Sequence, residues 1–149
     1  PGELPEWELS EQEVSSLYNQ ILNMGVSDKV KLATMGNKEA REILIRDSNK
    51  LVAVAVVKSP RIQESEIENI SKNRSINVDV LRQIAATKEY MKSYSVRLNL
   101  CSNPKTPVPI AMKLVPQMKD QDLKKIAKSK NVSQAVANAA RRLVHAKGD

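Results

Sequence analysis

Two side chains in this sequence have the chemistry of a nucleophile and of a base: the single cysteine, Cys101, and the single histidine, His145. A base or metal ligand at His145 would need a carboxylate, a thiol or a second imidazole beside it, but its charged neighbours are Arg142 and Lys147. Cys101 lies among apolar residues, without a nucleophile-activating motif or an oxyanion signal. The sequence therefore predicts a solvated histidine, a buried cysteine, and a protein that is not an enzyme and holds no metal and no cofactor.

Motifs for phosphate binding and for paired carboxylates are weak as well. The nearest approach to a glycine-rich loop is MGNKEA (35–40), where a glycine that ends one helix and an asparagine that caps the next explain both residues. Glu64, Glu66 and Glu68 alternate at a predicted helix start. Carboxylates are favourable there because of the helix dipole, so these three are expected to form a solvated first turn.

Positive charge is the strongest functional signal, and it increases along the chain. The net charge is −3 over residues 1–50, +3 over residues 51–100 and +7 over residues 101–149, which gives +7 in total. Such a gradient directs an acidic ligand towards the C-terminal end of the chain.

The basic residues of this last third are predicted to form one surface. On a helix predicted over 120–130, Leu123, Ile126 and Ala127 face inward, which leaves the lysines outward. The surface combines these lysines with two arginines of the last helix: Lys124, Lys125, Lys128, Arg141 and Arg142. It would bind an acidic protein or the phosphates of a nucleic acid. The plainer interpretation is the polar outer face of a terminal repeat, and the lack of aromatic residues after Tyr94 disfavours nucleic acid.

A second candidate surface combines two tyrosines and an arginine. Tyr90 and Tyr94 are four residues apart, which predicts one helical face, and Arg97 follows one turn later. Tyrosine and arginine are frequent anchors of protein interfaces. Core packing with the phenol tips at the surface explains the same spacing equally well. Trp7, in PEWEL, either packs the N-terminal arm onto the body or belongs to a segment that docks elsewhere.

Capping signals divide the chain into short helices. Ser10 with Glu13 forms a capping box. Further N-caps are predicted at six polar residues: Ser27, Asn37, Asn77, Thr106, Asp120 and Ser133. In SNPKTPVP (102–109), Pro107 and Pro109 fall in the first turn of a predicted helix, where a missing N–H is tolerated, and Pro116 is expected to end that helix. LVAVAVV (51–57) alternates like a strand, but no other segment alternates as cleanly, so we expect a short buried helix.

The helices recur with a regular period. An apolar anchor precedes a polar turn at seven places: Ile45, Val56, Ile70, Ile84, Leu100, Leu114 and Ile126. Successive anchors are 11 to 16 residues apart, so two helices span about 25 to 30 residues. Helices this short can bury their apolar stripes only against their sequence neighbours, which is the arrangement of an α-solenoid.

The turn SNPKTP (102–107), preceded by RLNL (97–100), resembles the Asn-Pro-x-Thr-Pro turn of the leucine-rich-repeat variant, a HEAT-like solenoid. Four other segments keep the spacing with fewer prolines: RDSNKLV (46–52), KSPRI (58–62), ISKNRSINVDVL (70–81) and IAKSKNVSQAV (126–136). Residues 26–145 also resemble a set of uncharacterised helical proteins from delta-proteobacteria. The resemblance implies a fold and supplies neither a catalytic residue nor a function.

Together these patterns predict an all-α fold, an α-solenoid of about nine or ten short helices. Residues 1–25 would form an N-terminal arm and capping helix, and residues 26–149 the helical-repeat domain. No segment is apolar enough to span a membrane, no signal peptide is apparent, and a single cysteine suits a reducing compartment, so a cytoplasmic protein is expected.

The favoured function is a non-enzymatic protein-interaction module, an adaptor or scaffold whose partner is acidic where it meets the C-terminal helices. The alternative is nucleic-acid binding through phosphates at the same helices. A weaker alternative is a sensor of a small anionic ligand. The sequence does not indicate the oligomeric state.

Overall fold

The structure is a computed structural model that describes residues 10–146. Trp7 and Lys147 lie outside these residues. Within them the chain forms eleven α-helices and one short 3-10 helix, and no strand. The predicted all-α class is confirmed, with one or two helices more than expected. The chain divides into two compact units, residues 1–63 and 64–149. The proposed division after residue 25 stays a prediction.

The N-terminal unit contains four helices: α1 (Glu11–Leu22), α2 (Val26–Met35), α3 (Lys38–Leu44) and α4 (Lys50–Val57). Two predicted caps are confirmed, since the Ser10 hydroxyl accepts the Glu13 N–H and the Asn37 side chain accepts the Ala40 N–H. The predicted cap at Ser27 is wrong. Gly25 takes the N-cap position with extended backbone and without a side-chain bond, so α2 begins one residue before Ser27.

Helix α4 is the predicted buried helix LVAVAVV, and its helical conformation is confirmed. Val52, Ala53, Val56 and Val57 are almost completely buried, because α4 packs against both α2 and α3. An eight-residue helix is too short to be stable alone, and β-branched residues lower its helical propensity further. Burial of the aliphatic side chains on several sides therefore stabilises this helix.

The C-terminal unit contains seven helices and the 3-10 helix: α5 (Glu64–Lys72), α6 (Val78–Ala86), α7 (Lys88–Met91), α8 (Tyr94–Ser102), α9 (Val108–Leu114), the 3-10 helix (Val115–Gln117), α10 (Asp120–Lys128) and α11 (Gln134–Ala146). Within this unit α5 packs against α8, α8 against α9, α9 against α11, and α10 against α11. The core between them is aliphatic and includes Ile67, Leu81, Ile84, Leu100 and Leu123.

The predicted helix starts of this unit are right at two places and off by one residue at two others. Asn77 and Ser133 accept backbone N–H groups as caps. The predicted cap at Thr106 is wrong: Pro107 is the N-cap, and Thr106 is buried because it occupies an inward position of the turn. The predicted cap at Asp120 is also wrong, since Asp120 is already helical and Lys119 precedes it as the N-cap. As predicted, the helix in front of Pro116 ends, here at Leu114.

One turn geometry recurs before α4, α6, α9 and α11. In each case a side-chain oxygen accepts the backbone N–H two residues further on, as in an Asx or Ser turn. The four pairs are Asp47 with Asn49 (2.8 Å), Asn73 with Ser75 (2.8 Å), Asn103 with Lys105 (2.9 Å) and Ser129 with Asn131 (3.1 Å). These four acceptors are 26, 30 and 26 residues apart, close to the two-helix period that the sequence predicts. A fifth turn of this type, in which Ser59 accepts the Arg61 N–H at 3.2 Å, lies between the first two, before α5.

Two of these turns also connect their helix to a neighbouring one. In the C-terminal unit, the Asn103 amide donates to the carbonyl oxygens of Ser71 and Asn73, each at 3.0 Å, at the end of α5. The Asn99 amide donates there too, to the Glu68 carbonyl and the Ser71 hydroxyl at 3.1 Å. The last carbonyls of a helix have no partner within the helix, so the Asn103 amide satisfies groups at the end of α5 that would otherwise be unpaired.

In the N-terminal unit the connection between helices is ionic at one end and neutral at the other. The second carboxylate oxygen of Asp47, before α4, lies 2.8 Å from the Lys29 ammonium of α2. Beyond the other end of α4, the buried Ser59 hydroxyl donates to the Thr34 carbonyl of α2 at 2.9 Å. Helices α2 and α4 are thus held side by side at both ends.

Candidate functional site

Helix α10 separates apolar from basic side chains. Leu123, Ile126 and Ala127 are buried, which places Lys124, Lys125 and Lys128 on the exposed side of the helix. Among the described residues no carboxylate forms an ion pair with Lys125 or Lys128. Lys125 and Lys128 therefore carry positive charge that no described carboxylate compensates.

Helix α11 adds two arginines, and they do not have the same environment. Arg141 donates to the Asn138 side chain at 2.7 Å and to the Ala127 carbonyl at the end of α10 at 2.9 Å. It therefore caps the C-terminus of α10, where a cation is favoured by the helix dipole. Arg142 is exposed at the next position. We call Lys124, Lys125, Lys128, Arg141 and Arg142 together the basic surface.

The start of α10 is fixed by Tyr94, the first residue of α8. The Tyr94 hydroxyl accepts the Lys119 N–H at 2.9 Å and donates to an Asp122 carboxylate oxygen at 2.6 Å. The Lys119 ammonium lies 4.7 Å from the centre of the Tyr94 ring, a cation–π distance. Because α10 has no side-chain cap of its own at Lys119, the phenol satisfies an N–H that would otherwise be unpaired at the helix start.

The environment of Tyr94 favours its neutral form. Burial raises the pKa of the phenol, and so does the hydrogen bond to the Asp122 carboxylate; the Lys119 N–H and the Arg97 charge lower it but do not compensate. Asp122 is itself buried. The Tyr94 phenol is therefore a neutral donor to the Asp122 side chain.

Arg97 lies beside Tyr94, one turn along α8. Its guanidinium carbon is 5.5 Å from the centre of the Tyr94 ring, and its side chain donates to Gln117 at 3.0 Å. The two predicted site residues are thus together, and both contact the segment that leads into α10. Gln117, Lys119 and Asp122 could not be predicted as contacts of Tyr94 and Arg97, because each lies 20 or more residues from its partner.

Tyr90 does not share a helical face with Tyr94, and that prediction is wrong. Tyr90 belongs to the single-turn helix α7, which ends with Lys92 as its C-cap. Ser93 is the N-cap of the next helix, α8, and accepts the Val96 N–H at 3.3 Å. Burial raises the pKa of Tyr90, and the nearby Glu66 carboxylate raises it further.

The predicted solvated first turn of α5 is wrong for Glu66, which is 7% exposed. It lies next to the fully buried Ile67, on the side of α5 that faces the core. Position in the first turn of a helix predicts that a carboxylate is favourable, but it does not predict which way the side chain points.

The cysteine and the histidine have the environments that the sequence predicts. Cys101 is buried, as predicted, and burial raises the pKa of its thiol to about 11. His145 is exposed on α11, as predicted.

Within residues 10–146 no three His, Cys, Asp or Glu side chains converge in a way that suits a metal ion. In that same range, no helix combines the length and the apolar character that crossing a membrane requires.

No protein family matches this chain, and comparisons with curated proteins and with solved structures gave no match. The resemblance to the leucine-rich-repeat variant therefore stays a prediction from the turn sequence.

Proposed function

We propose that this chain is a non-enzymatic interaction module of HEAT-like solenoid type that binds an acidic protein segment through the basic surface. The supporting observation is the exposure of Lys124, Lys125 and Lys128 on a helix whose other side is buried. The recurrence of one turn before α4, α6, α9 and α11 supports the solenoid assignment, and a cytoplasmic location is part of the same proposal.

The basic surface suits docking because both ends of helix α10 are held by hydrogen bonds from other helices. Tyr94 fixes the start of α10 and Arg141 caps its end. The lysines between these two points therefore project from a helix of defined position, which lowers the entropy lost on binding. In this proposal Tyr94 and Arg97 support the surface, and Tyr90 is a separate contact.

An acidic protein is favoured over nucleic acid by what surrounds the lysines. Lysine-rich surfaces bind phosphates without sequence preference, but single-stranded nucleic acid also stacks its bases on aromatic side chains. The sequence has no aromatic residue after Tyr94, and that ring is already covered by Lys119 and Arg97. Nucleic-acid binding is the competing outcome of the test below.

The test compares two labelled anionic probes at the same ionic strength, a glutamate-rich peptide and a single-stranded oligonucleotide of equal charge. Fluorescence anisotropy measures the affinity of the wild type and of a variant with Lys124→Ala, Lys125→Ala and Lys128→Ala. We expect the peptide affinity to fall about tenfold, since three exposed ion pairs contribute about 0.5 kcal/mol each.

A control variant removes three exposed lysines elsewhere: Lys31→Ala, Lys58→Ala and Lys72→Ala. It has the same net charge as the first variant, so it should keep most of the peptide affinity. An equal loss in both variants would show attraction by overall charge and would overturn the assignment of the surface. Tighter binding of the oligonucleotide, lost on removal of Lys124, Lys125 and Lys128, would favour the nucleic-acid alternative.

A further inference from the structure

We infer that the acidic partner of the basic surface is a second copy of this chain, which docks through its helix α1. The inference rests on the proposed function, because it names the partner of the same surface. It is carried by the charge, the exposure and the apolar content of α1.

The first part of the chain is acidic without compensation. Residues 1–28 contain six acidic side chains and no basic one, whereas residues 64–149 contain sixteen basic and eight acidic side chains. Within α1, Glu11 and Glu13 are exposed in the first turn. The two segments are thus complementary in charge, and such complementarity raises association rates and selects the orientation of the partners.

Helix α1 also exposes apolar side chains that its own unit does not cover. Val14, Leu17 and Ile21 form the stripe that faces inward. A second stripe at helical spacing holds Tyr18 and Leu22, which are 48% and 56% exposed. Single exposed apolar residues are ordinary, but two on one stripe beside acidic residues form a compact docking face.

The receiving surface offers matching chemistry. Lys125, Lys128 and Arg142 provide exposed cations, whereas Leu143 and Val144 of α11 belong to its inward stripe and are partly buried. A helix that presents Glu11 beside Tyr18 and Leu22 therefore finds cations for its carboxylate on the basic surface.

The inferred contact joins different surfaces of the two copies. Such a heterologous contact leaves one free α1 and one free basic surface in every dimer, so it continues into a ring or an open chain. The expected behaviour is an average mass that rises with protein concentration beyond that of a dimer. It should fall back to the monomer at about 1 M salt, where the Debye length is about 3 Å.

Charge reversal on each side tests the contact by sedimentation velocity at low ionic strength. One variant carries Glu11→Lys and Ser15→Lys on the exposed stripe of α1, and it leaves the Ser10–Glu13 cap intact. The other carries Lys125→Glu and Lys128→Glu. Each variant alone should associate much less than the wild type, since the first gives α1 the same sign as the basic surface and the second lowers the charge of the basic surface from +5 to +1. An equimolar mixture should associate again, because the native α1 of the second variant meets the native basic surface of the first.

The control variant carries Lys31→Glu and Lys58→Glu, two exposed lysines outside the basic surface, and it should associate like the wild type. Circular dichroism of each variant confirms that its helix content is unchanged. A wild type that stays monomeric at all concentrations would overturn the inference, and so would failure of the mixture to associate.

The glutamate-rich peptide separates this inference from the proposed function. If the peptide binds the wild type and not the Lys125→Glu, Lys128→Glu variant, while the wild type remains monomeric, the basic surface stands and the second copy is overturned. If neither the peptide nor self-association depends on these lysines, both proposals fail.

Discussion

The turns at Asp47 and Asn103 have the same backbone geometry but connect to their neighbouring helices by different chemistry. Each side chain accepts the N–H two residues further on, at 2.8 and 2.9 Å. The remaining oxygen of Asp47 pairs with the Lys29 ammonium, whereas the remaining nitrogen of Asn103 donates to two carbonyls at the end of α5.

The side chain that closes each turn, Asp47 or Asn103, has two separate roles. The oxygen that closes the turn is needed in both units, because it sets the start of the next helix. The second polar atom of the side chain joins the turn to a neighbouring helix. An ion pair makes this connection at Asp47, and two neutral hydrogen bonds make it at Asn103. The N-terminal unit should therefore respond to pH at this point, while the equivalent point of the C-terminal unit should not.

The largest expected effect comes from exchanging the amide for a carboxylate, in Asn103→Asp. The turn can still close, but the two donors are lost and a buried charge then faces the carbonyls of Ser71 and Asn73. We expect the C-terminal unit to lose about 3 to 5 kcal/mol, the cost of an uncompensated buried charge. Urea unfolding followed by circular dichroism measures this loss.

Asn131→Asp is the control for a carboxylate added to such a turn, because the Asn131 side chain is exposed and only its backbone N–H closes the turn, on Ser129. Its effect should stay within about 0.5 kcal/mol, as for most surface substitutions. Equal destabilisation by the two substitutions would mean that the loss does not come from the bonds of Asn103 to α5.

An intermediate effect is expected for Tyr94→Phe, which tests the contact of the phenol with the buried Asp122 side chain of the C-terminal unit. The substitution removes the donor to Asp122 and the acceptor of the Lys119 N–H. We expect a loss of about 2 kcal/mol, since a hydrogen bond to a charged group contributes about 1.5 to 3 kcal/mol. Thermal unfolding of this variant and of Tyr18→Phe, whose ring is exposed, measures the difference.

The double variant Tyr94→Phe, Asp122→Asn extends this measurement. If the phenol acts through the carboxylate, the second substitution should recover part of the loss. Simple addition of the two single effects would contradict a direct interaction of Tyr94 with Asp122.

The smallest effect is expected for Asp47→Asn, the reverse exchange in the N-terminal unit. The amide oxygen can still close the turn, and only the ion pair with Lys29 is lost; the two side chains are 11% and 18% exposed. We expect a loss of about 1 to 2 kcal/mol at neutral pH, between the values for surface and buried pairs. Amide hydrogen exchange of α2 and α4 measures it.

The same variant tests the pH dependence. Burial alone would raise the pKa of Asp47, but the hydrogen bonds from Lys29 and from the Asn49 N–H, with the Lys29 charge, lower it below 3.8. A carboxyl with a lowered pKa stabilises the fold at pH values above its unfolded pKa, and this contribution is lost as the pH falls through the folded pKa. Protection of α2 and α4 in the wild type should therefore decrease below about pH 4. In Asp47→Asn this part of the decrease should be absent.

Local features of this fold could be predicted from the sequence. The caps at Ser10, Asn37, Asn77 and Ser133 depend on residues no more than three positions away, so the local sequence suffices to identify them. The helix over residues 51–57 was predicted by the lack of a partner strand, which is also a property of the sequence. The error at Ser27 is a shift of two residues, and the errors at Thr106 and Asp120 are shifts of one residue.

Features that depend on contacts between distant segments could not be predicted. The bond from Tyr94 to Asp122 joins residues 28 positions apart, and the bond from Asn103 to Ser71 joins residues 32 positions apart. The burial of Glu66 likewise depends on which helix packs over α5. The recurrence of Asn at positions 73 and 103 was visible, but it showed only that a turn repeats.

The burial of Cys101 has a practical consequence. The chain has one thiol, it lies near the end of α8, and its raised pKa keeps it protonated and inert in the native protein. A maleimide reagent should therefore modify the protein only while α8 is transiently open. The labelling rate would report the frequency of that opening at a single site, without any engineered probe.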